Sequence, residues 1–108
     1  MFSFIGASAG KENKTGNDNV CIGDSAGVNL SSGSHNVFIG TQARFRTTAT
    51  IGNIFIGRDA GFSNTTAADN TFIGYLSGRL NTVGVDNTFL GSQTGQNNTG
   101  SRNTFIGN

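Results

Sequence analysis

With 108 residues, 17 Gly, nine Phe and no Pro, the chain has room for one domain, and seven basic against six acidic residues leave a formal net charge of +1. Charged residues make up only 12% and form no run of one sign, so the basic footprint of a nucleic-acid binder is absent; one Cys excludes an intrachain disulfide, and no Cys/His cluster has zinc spacing. No apolar run approaches the roughly 20 residues of a membrane span, and Met1-Phe2-Ser3-Phe4 lacks the charged start and long apolar stretch of a signal peptide, so membrane insertion is not expected and export would be encoded elsewhere.

Along the chain, Ile-Gly or Leu-Gly ends at Gly6, Gly23, Gly40, Gly57, Gly74, Gly91 and Gly107, a spacing of 17 residues five times and then 16. Before these glycines stand Phe4-Ile5, Cys21-Ile22, Phe38-Ile39, Phe55-Ile56, Phe72-Ile73, Phe89-Leu90 and Phe105-Ile106, the expected structural core. Two places before each of these pairs, from the second on, comes an Asn: Asn19, Asn36, Asn53, Asn70, Asn87 and Asn103. After the glycine a small residue and usually a second Gly follow, as in Ala9-Gly10, Ala26-Gly27, Ala60-Gly61, Ser77-Gly78 and Thr94-Gly95; Ala43-Arg44 breaks that pattern. Gly-rich disordered linkers lack such regularly placed aromatics, so the repeat argues for order.

Each unit reads as a short strand, a tight corner and a polar Asn/Thr/Ser stretch with a further Gly, such as Gly16, Gly33, Gly84 and Gly100. One five-residue strand cannot bury itself, but equivalent strands of successive coils can stack at about 4.8 Å and share backbone hydrogen bonds. The expectation is an all-β, parallel β-solenoid of about six coils of 17 residues, with residues 1–108 forming one repeat domain. The glycines supply positive-φ corners, and the repeated Asn can form a ladder of side-chain amides. Strand alternation places Phe72 with Asn70 and Ile73 with Thr71, so both faces are substantially apolar. One face then fills the coil and the other meets an outside partner, for which a copy of the same chain around a three-fold axis is the natural expectation.

The units Asp69-Asn70-Thr71-Phe72-Ile73-Gly74 and Asp86-Asn87-Thr88-Phe89-Leu90-Gly91 resemble the N-S-V-A-I-G repeats of trimeric autotransporter adhesin heads, and the N-T-F-I-G-x-x-A-G repeats of phage tail fibres and related bacterial surface proteins. The resemblance covers essentially the whole chain and implies a left-handed β-roll and a homotrimer. Two features depart from the adhesin heads: the repeat is 17 residues long rather than about 14, and Phe replaces the small Ala of the strand.

Chemistry-bearing motifs reduce to the repeat. Gly23-Asp24-Ser25-Ala26-Gly27 matches G-x-S-x-G, but Gly6-Ala7-Ser8-Ala9-Gly10 does too, and Gly57-Arg58-Asp59-Ala60-Gly61 occupies the same positions without Ser, so the pattern marks a corner. With His35 as the only histidine, no catalytic residue is assigned. Cys21 reads as a small buried hydrophobe in a Phe slot, and His35 as a turn residue in register with Asp18, Asp69 and Asp86. That acidic column is interrupted by His35, Gly52 and Arg102, so neither a metal nor a cofactor is expected. Arg44, Phe45, Arg46, Arg58 and Phe62 form a candidate surface contact, where guanidinium beside aromatic surface suits a sugar or anion, unless the same residues pack between chains.

These features point to a structural and adhesive protein rather than an enzyme. The leading expectation is a head or shaft segment of a trimeric surface or virion fibre, extracellular, presenting corner residues to a cell-surface glycan or protein receptor. A filament subunit stacking end to end through uncapped coils is the first alternative, since neither terminal coil carries a polar cap. An ice- or surface-binding solenoid is the second, resting on the column Thr48, Thr65, Thr82 and Thr99.

Overall fold

The computed structural model describes every residue except Phe45, Thr47 and Thr48. Seven short strands follow one another: β1 (Phe2–Ile5), β2 (Asn19–Ile22), β3 (Val37–Ile39), β4 (Ile54–Ile56), β5 (Thr71–Ile73), β6 (Thr88–Leu90) and β7 (Thr104–Ile106). They pair in chain order, all parallel, in a single sheet. Each strand residue lies beside the residue one repeat later, Phe38 against Phe55 and Phe55 against Phe72. The shortened last repeat keeps register, because Thr88 pairs with Thr104 and the missing residue is absorbed in the preceding turn. The result is the expected all-β parallel solenoid of about six turns, with extents of 33 × 20 × 18 Å.

Outside the strands the coils are turns, and they too are bonded from coil to coil. Gly10 N donates to Ala26 O at 2.9 Å, Gly27 N to Ala43 O at 3.0 Å, Arg44 N to Ala60 O at 2.9 Å and Gly61 N to Ser77 O at 3.0 Å. Backbone bonding between coils therefore continues into the corners and is not confined to the sheet, which limits the polar groups that a coil this thin would strand. Close stacking also explains the glycine that ends each strand. At Gly57, with φ at 130°, an added Cβ would stand 2.5 Å from Gly74 O in the next coil.

The interior is one column of rings. Phe38, Phe55, Phe72 and Phe89 are fully buried, together with Cys21 and the corner alanines Ala26, Ala43 and Ala60. Ring centroids lie 4.8 Å apart for Phe55 and Phe72, 4.7 Å for Phe72 and Phe89, and 5.0 Å for Phe89 and Phe105, with planes within 10° of parallel. That spacing is the strand spacing itself, so registered pairing forces the rings into an offset stack.

The second member of each expected core pair points the other way. Ile5, Ile73 and Ile106 are 62%, 38% and 75% exposed, and Ile22, Ile39, Ile56 and Leu90 are half-buried on the outer face of the sheet. Phe105, in β7, is 39% exposed and stacks on Phe89 from one side. The core is thus narrower than the pairs suggested, for a geometric reason: neighbouring strand residues face opposite sides, and a single sheet wrapped by turns has one inside.

Candidate functional site

The asparagines line the inner edge of the sheet as a continuous ladder. Asn19 Oδ1 accepts from the backbone N and from Nδ2 of Asn36, both at 3.0 Å. The same two-donor contact joins Asn36 to Asn53, Asn53 to Asn70, Asn70 to Asn87 and Asn87 to Asn103, with backbone donors at 2.9–3.0 Å. From Asn19 to Asn87 each Nδ2 also reaches a carbonyl at the far end of its own coil: Asn19 to Gly33 at 2.6 Å, Asn36 to Thr50 at 3.0 Å, Asn53 to Ala67 at 3.1 Å, Asn70 to Gly84 at 2.8 Å and Asn87 to Gly100 at 2.8 Å. One side chain therefore ties its coil to the next and closes its own. The ladder stands at the start of each strand because the residue before it takes a positive φ, 55° at Asp18, 59° at His35 and 58° at Asp86, turning the chain inward.

The outer face of the sheet carries two columns. One runs Val20, Val37, Ile54, Thr71 and Thr88; the other runs Ile22, Ile39, Ile56, Ile73 and Leu90. Their residues are half-buried or exposed, and together they form a largely apolar stripe along the long axis, β-branched except at Leu90 and with threonine hydroxyls at Thr71 and Thr88.

The candidate surface contact separates into unlike parts. Arg46 and Arg58 are exposed, and Arg58 Nε lies 3.8 Å from Asp59 Oδ2. Phe62 is half-buried beneath the Arg79 guanidinium, which stands 5.1 Å from its ring centroid. Phe45 lies outside the described residues. Arg44 is not at the surface: it is 1% exposed, with its guanidinium 5.2 Å from the centroid of Phe38. Its Nε, Nη1 and Nη2 find no hydrogen-bond partner among the described residues. Burial pulls its pKa down to about 9, which leaves it a cation at neutral pH, and pushes the Cys21 thiol up to about 12.

Two contributors escaped the motif reading. Arg79 follows Phe62 by one repeat, so the 17-residue spacing alone places it beside that ring. Asn13, Asn64, Asn81 and Asn98 share another repeat position, with buried Leu30 in the second coil. Asn81 Nδ2 donates to Asn98 O at 3.2 Å, whereas both polar atoms of buried Asn64 are unpartnered among the described residues.

The remaining motifs keep to corners. Ser8, Ser25, Gln42, Asp59, Leu76 and Gln93 all hold φ between 55° and 59° at one repeat position, so the serines of the G-x-S-x-G matches serve a turn. His35 Nδ1 lies 3.8 Å from Asp18 Oδ2, and Asp18 is held low by the Met1 ammonium, 2.7 Å away. Among the described residues no three His, Cys, Asp or Glu side chains gather as a metal site, and no helix is long and apolar enough to cross a membrane. In the Thr column, Thr65 Oγ1 donates to Thr82 O at 3.0 Å, so that hydroxyl serves coil stacking; Thr48 lies outside the described residues. No family model, curated protein or solved structure matches this chain.

Proposed function

We propose that the chain is a rigid structural segment of an extracellular fibre on a cell surface or virion, self-associated as a homotrimer, that presents its corner residues to a glycan or protein receptor. The observation that carries this reading is the outer stripe of Val, Ile, Thr and Leu running the length of a rod whose inner side is already filled by rings and amides. One continuous apolar column, Ile22 to Leu90, beside a second of Val, Ile and Thr on a regular sheet suits a straight, repeated contact with copies of the same chain. Resemblance to trimeric adhesin heads and tail fibres supports three copies, and the distributed backbone bonding supports length and resistance to proteolysis. The role is structural and adhesive rather than catalytic.

Light scattering and native mass measurement on the wild-type chain and on a chain carrying Ile39→Asp with Ile56→Asp test this. Discrete trimers that dissociate in the double variant, with its circular dichroism intact, support the reading. A wild-type chain that is monomeric at high concentration refutes it. Growth by end-to-end stacking is the second reading, favoured by the unchanged register from coil to coil, which gives each coil the same strand edge to offer to a further one. Filaments in the electron microscope that persist in the double variant would establish that reading instead.

A further inference from the structure

In five coils the second corner residue is glycine, Gly10, Gly27, Gly61, Gly78 and Gly95, because a strand side chain stands against it. A Cβ at Gly61 would lie 2.5 Å from the Phe55 ring, and one at Gly10 2.7 Å from the Phe4 ring. Arg44 holds this corner in the third coil at φ 52°. Its own ring, Phe38, is tilted by 27° against Phe55, whereas the later neighbours in the stack lie within 10° of parallel. The space for a guanidinium arises one coil earlier. There the residue paired with Phe38 is Cys21, a thiol where the other coils place a phenyl ring. A planar cation against Phe38, close enough to Cys21 for each to perturb the other, takes the place of the missing ring.

That seat suits a cation poorly. All three guanidinium nitrogens lack hydrogen-bond partners among the described residues, and an unpaired buried charge is strongly disfavoured. Contact with the Phe38 face and burial of the aliphatic stem offset part of that cost. Outside, Arg44 would join Arg46 in its own coil and Arg79 two coils on. This corner carries no acidic residue from the second coil onward: its residues are Val28-Asn29, Phe45-Arg46, Phe62-Ser63, Arg79-Leu80 and Gln96-Asn97. A basic edge beside the half-buried Phe62 ring matches a sugar ring bearing anionic groups.

We infer that Arg44 is a two-position side chain, seated in the ring slot beside Cys21 in the free protein and swung onto the corner when Arg46, Arg79 and Phe62 hold a sulfated or carboxylated glycan. This rests on the receptor-contact reading above and names the receptor's chemistry. The ligand acts by differential affinity: it gains an arginine only in the outward state, and its apparent affinity is reduced by the fraction of chains with Arg44 seated.

The test measures binding of a sulfated heparin hexasaccharide and alkylation of Cys21 by iodoacetamide. Cys21→Phe returns a ring to the slot and holds Arg44 outside, so binding should tighten about tenfold. Arg44→Gly restores the ordinary corner and should weaken binding about fivefold. On the wild-type chain, saturating hexasaccharide should speed Cys21 alkylation about tenfold as the slot empties. Binding with no change in alkylation, or equal affinity of the wild-type and Cys21→Phe chains, overturns the inference. Absence of binding by all three chains overturns it as well, while the fibre reading stands or falls separately on the assembly state.

Discussion

Asn53 sits in the middle of the amide ladder, and its replacement separates the two things the ladder does. Its Oδ1 accepts from Asn70 N at 2.9 Å and Asn70 Nδ2 at 3.3 Å, and its Nδ2 donates to Thr50 Oγ1 at 2.7 Å and Ala67 O at 3.1 Å. Asn53→Ala strands the buried backbone N–H of Asn70, at about 1–3 kcal/mol, and forfeits further bonds worth about 1 kcal/mol each, so a loss of about 3–4 kcal/mol is expected. That is a large share of the roughly 5–15 kcal/mol that holds a domain of this size. Asn53→Asp keeps the acceptor for Asn70 but points a second oxygen at the carbonyl of Ala67 and at Asn36 Oδ1. Burial and those oxygens raise its carboxyl pKa above the unfolded value. The unfolded chain then releases the proton first, so stability is fully present below the unfolded pKa, near 4, and is lost as pH rises through the folded one. Asn103 Nδ2 donates to Asn87 Oδ1 at 3.2 Å, but its own Oδ1 accepts no backbone N–H among the described residues, and Asn103→Ala should cost under about 1 kcal/mol. Urea unfolding followed by circular dichroism between pH 4 and 7 measures all three. Equal losses at Asn53 and Asn103, or an Asn53→Asp chain that gains nothing in acid relative to Asn53→Ala, would refute the argument.

Gly57→Ala should cost about 2 kcal/mol, since it combines φ of 130° with a Cβ 2.5 Å from a backbone oxygen that cannot move aside, and a thermal melt reads it. Phe72→Ala removes a ring stacked at 4.8 and 4.7 Å between its neighbours and should cost about 3–5 kcal/mol in urea unfolding, with Phe72→Leu losing less. Cys21 and Arg44 give opposite alkaline slopes. The thiol is raised from 9.0 to about 12, so the unfolded chain ionises first and stability falls as pH rises between those values. The guanidinium is lowered from 12.5 to about 9, so the folded chain loses its proton first and stability rises across that window. Relative to wild type, Cys21→Ala should gain stability as pH rises above about 9 and Arg44→Gly should lose it; melting shifts of the same sign would contradict the assignment.

The solenoid was legible because pairing in a stacked coil joins each residue to the one a repeat later, so a spacing of 17 in the sequence becomes a strand register directly. The side chain that faces inward was less so. Phe and Ile are both apolar, and the corner glycine opposed to the ring is what distinguishes them: only the inward residue requires its partner to lack a Cβ. Arg44 was misplaced for a related reason. Taken separately, Cys21 is a small residue in a ring column and Arg44 a large one in a glycine column, and arginine defaults to solvent. The two exceptions fall in adjacent coils, and only stacking shows that one creates the space the other occupies. Arg79 was within reach of the repeat, being one period beyond Phe62, but a lone arginine breaks no pattern that would single it out.

A repeat rod draws its stability from nearest neighbours, so its behaviour along the axis depends on whether every junction is alike. From the fourth coil onward the junctions are alike: one ring on one ring, one amide on one amide. The junction between the second and third coils keeps the amide contact, Asn36 on Asn19 at 3.0 Å, but exchanges the ring contact for a thiol and a guanidinium with no hydrogen-bond partner among the described residues. Regions with fewer apolar contacts and unsatisfied buried groups open at lower free energy than the structure as a whole. Local opening should therefore concentrate at this junction rather than at a random coil, while the amide ladder keeps the two coils in register. The same third coil carries Arg46 at its exposed corner, so the point of least internal stability coincides with the basic edge. In a uniform ladder a ligand on one corner has nothing to bias, because every coil has a single packing. At this junction the packing has an alternative, and contact at the corner can be felt in the core.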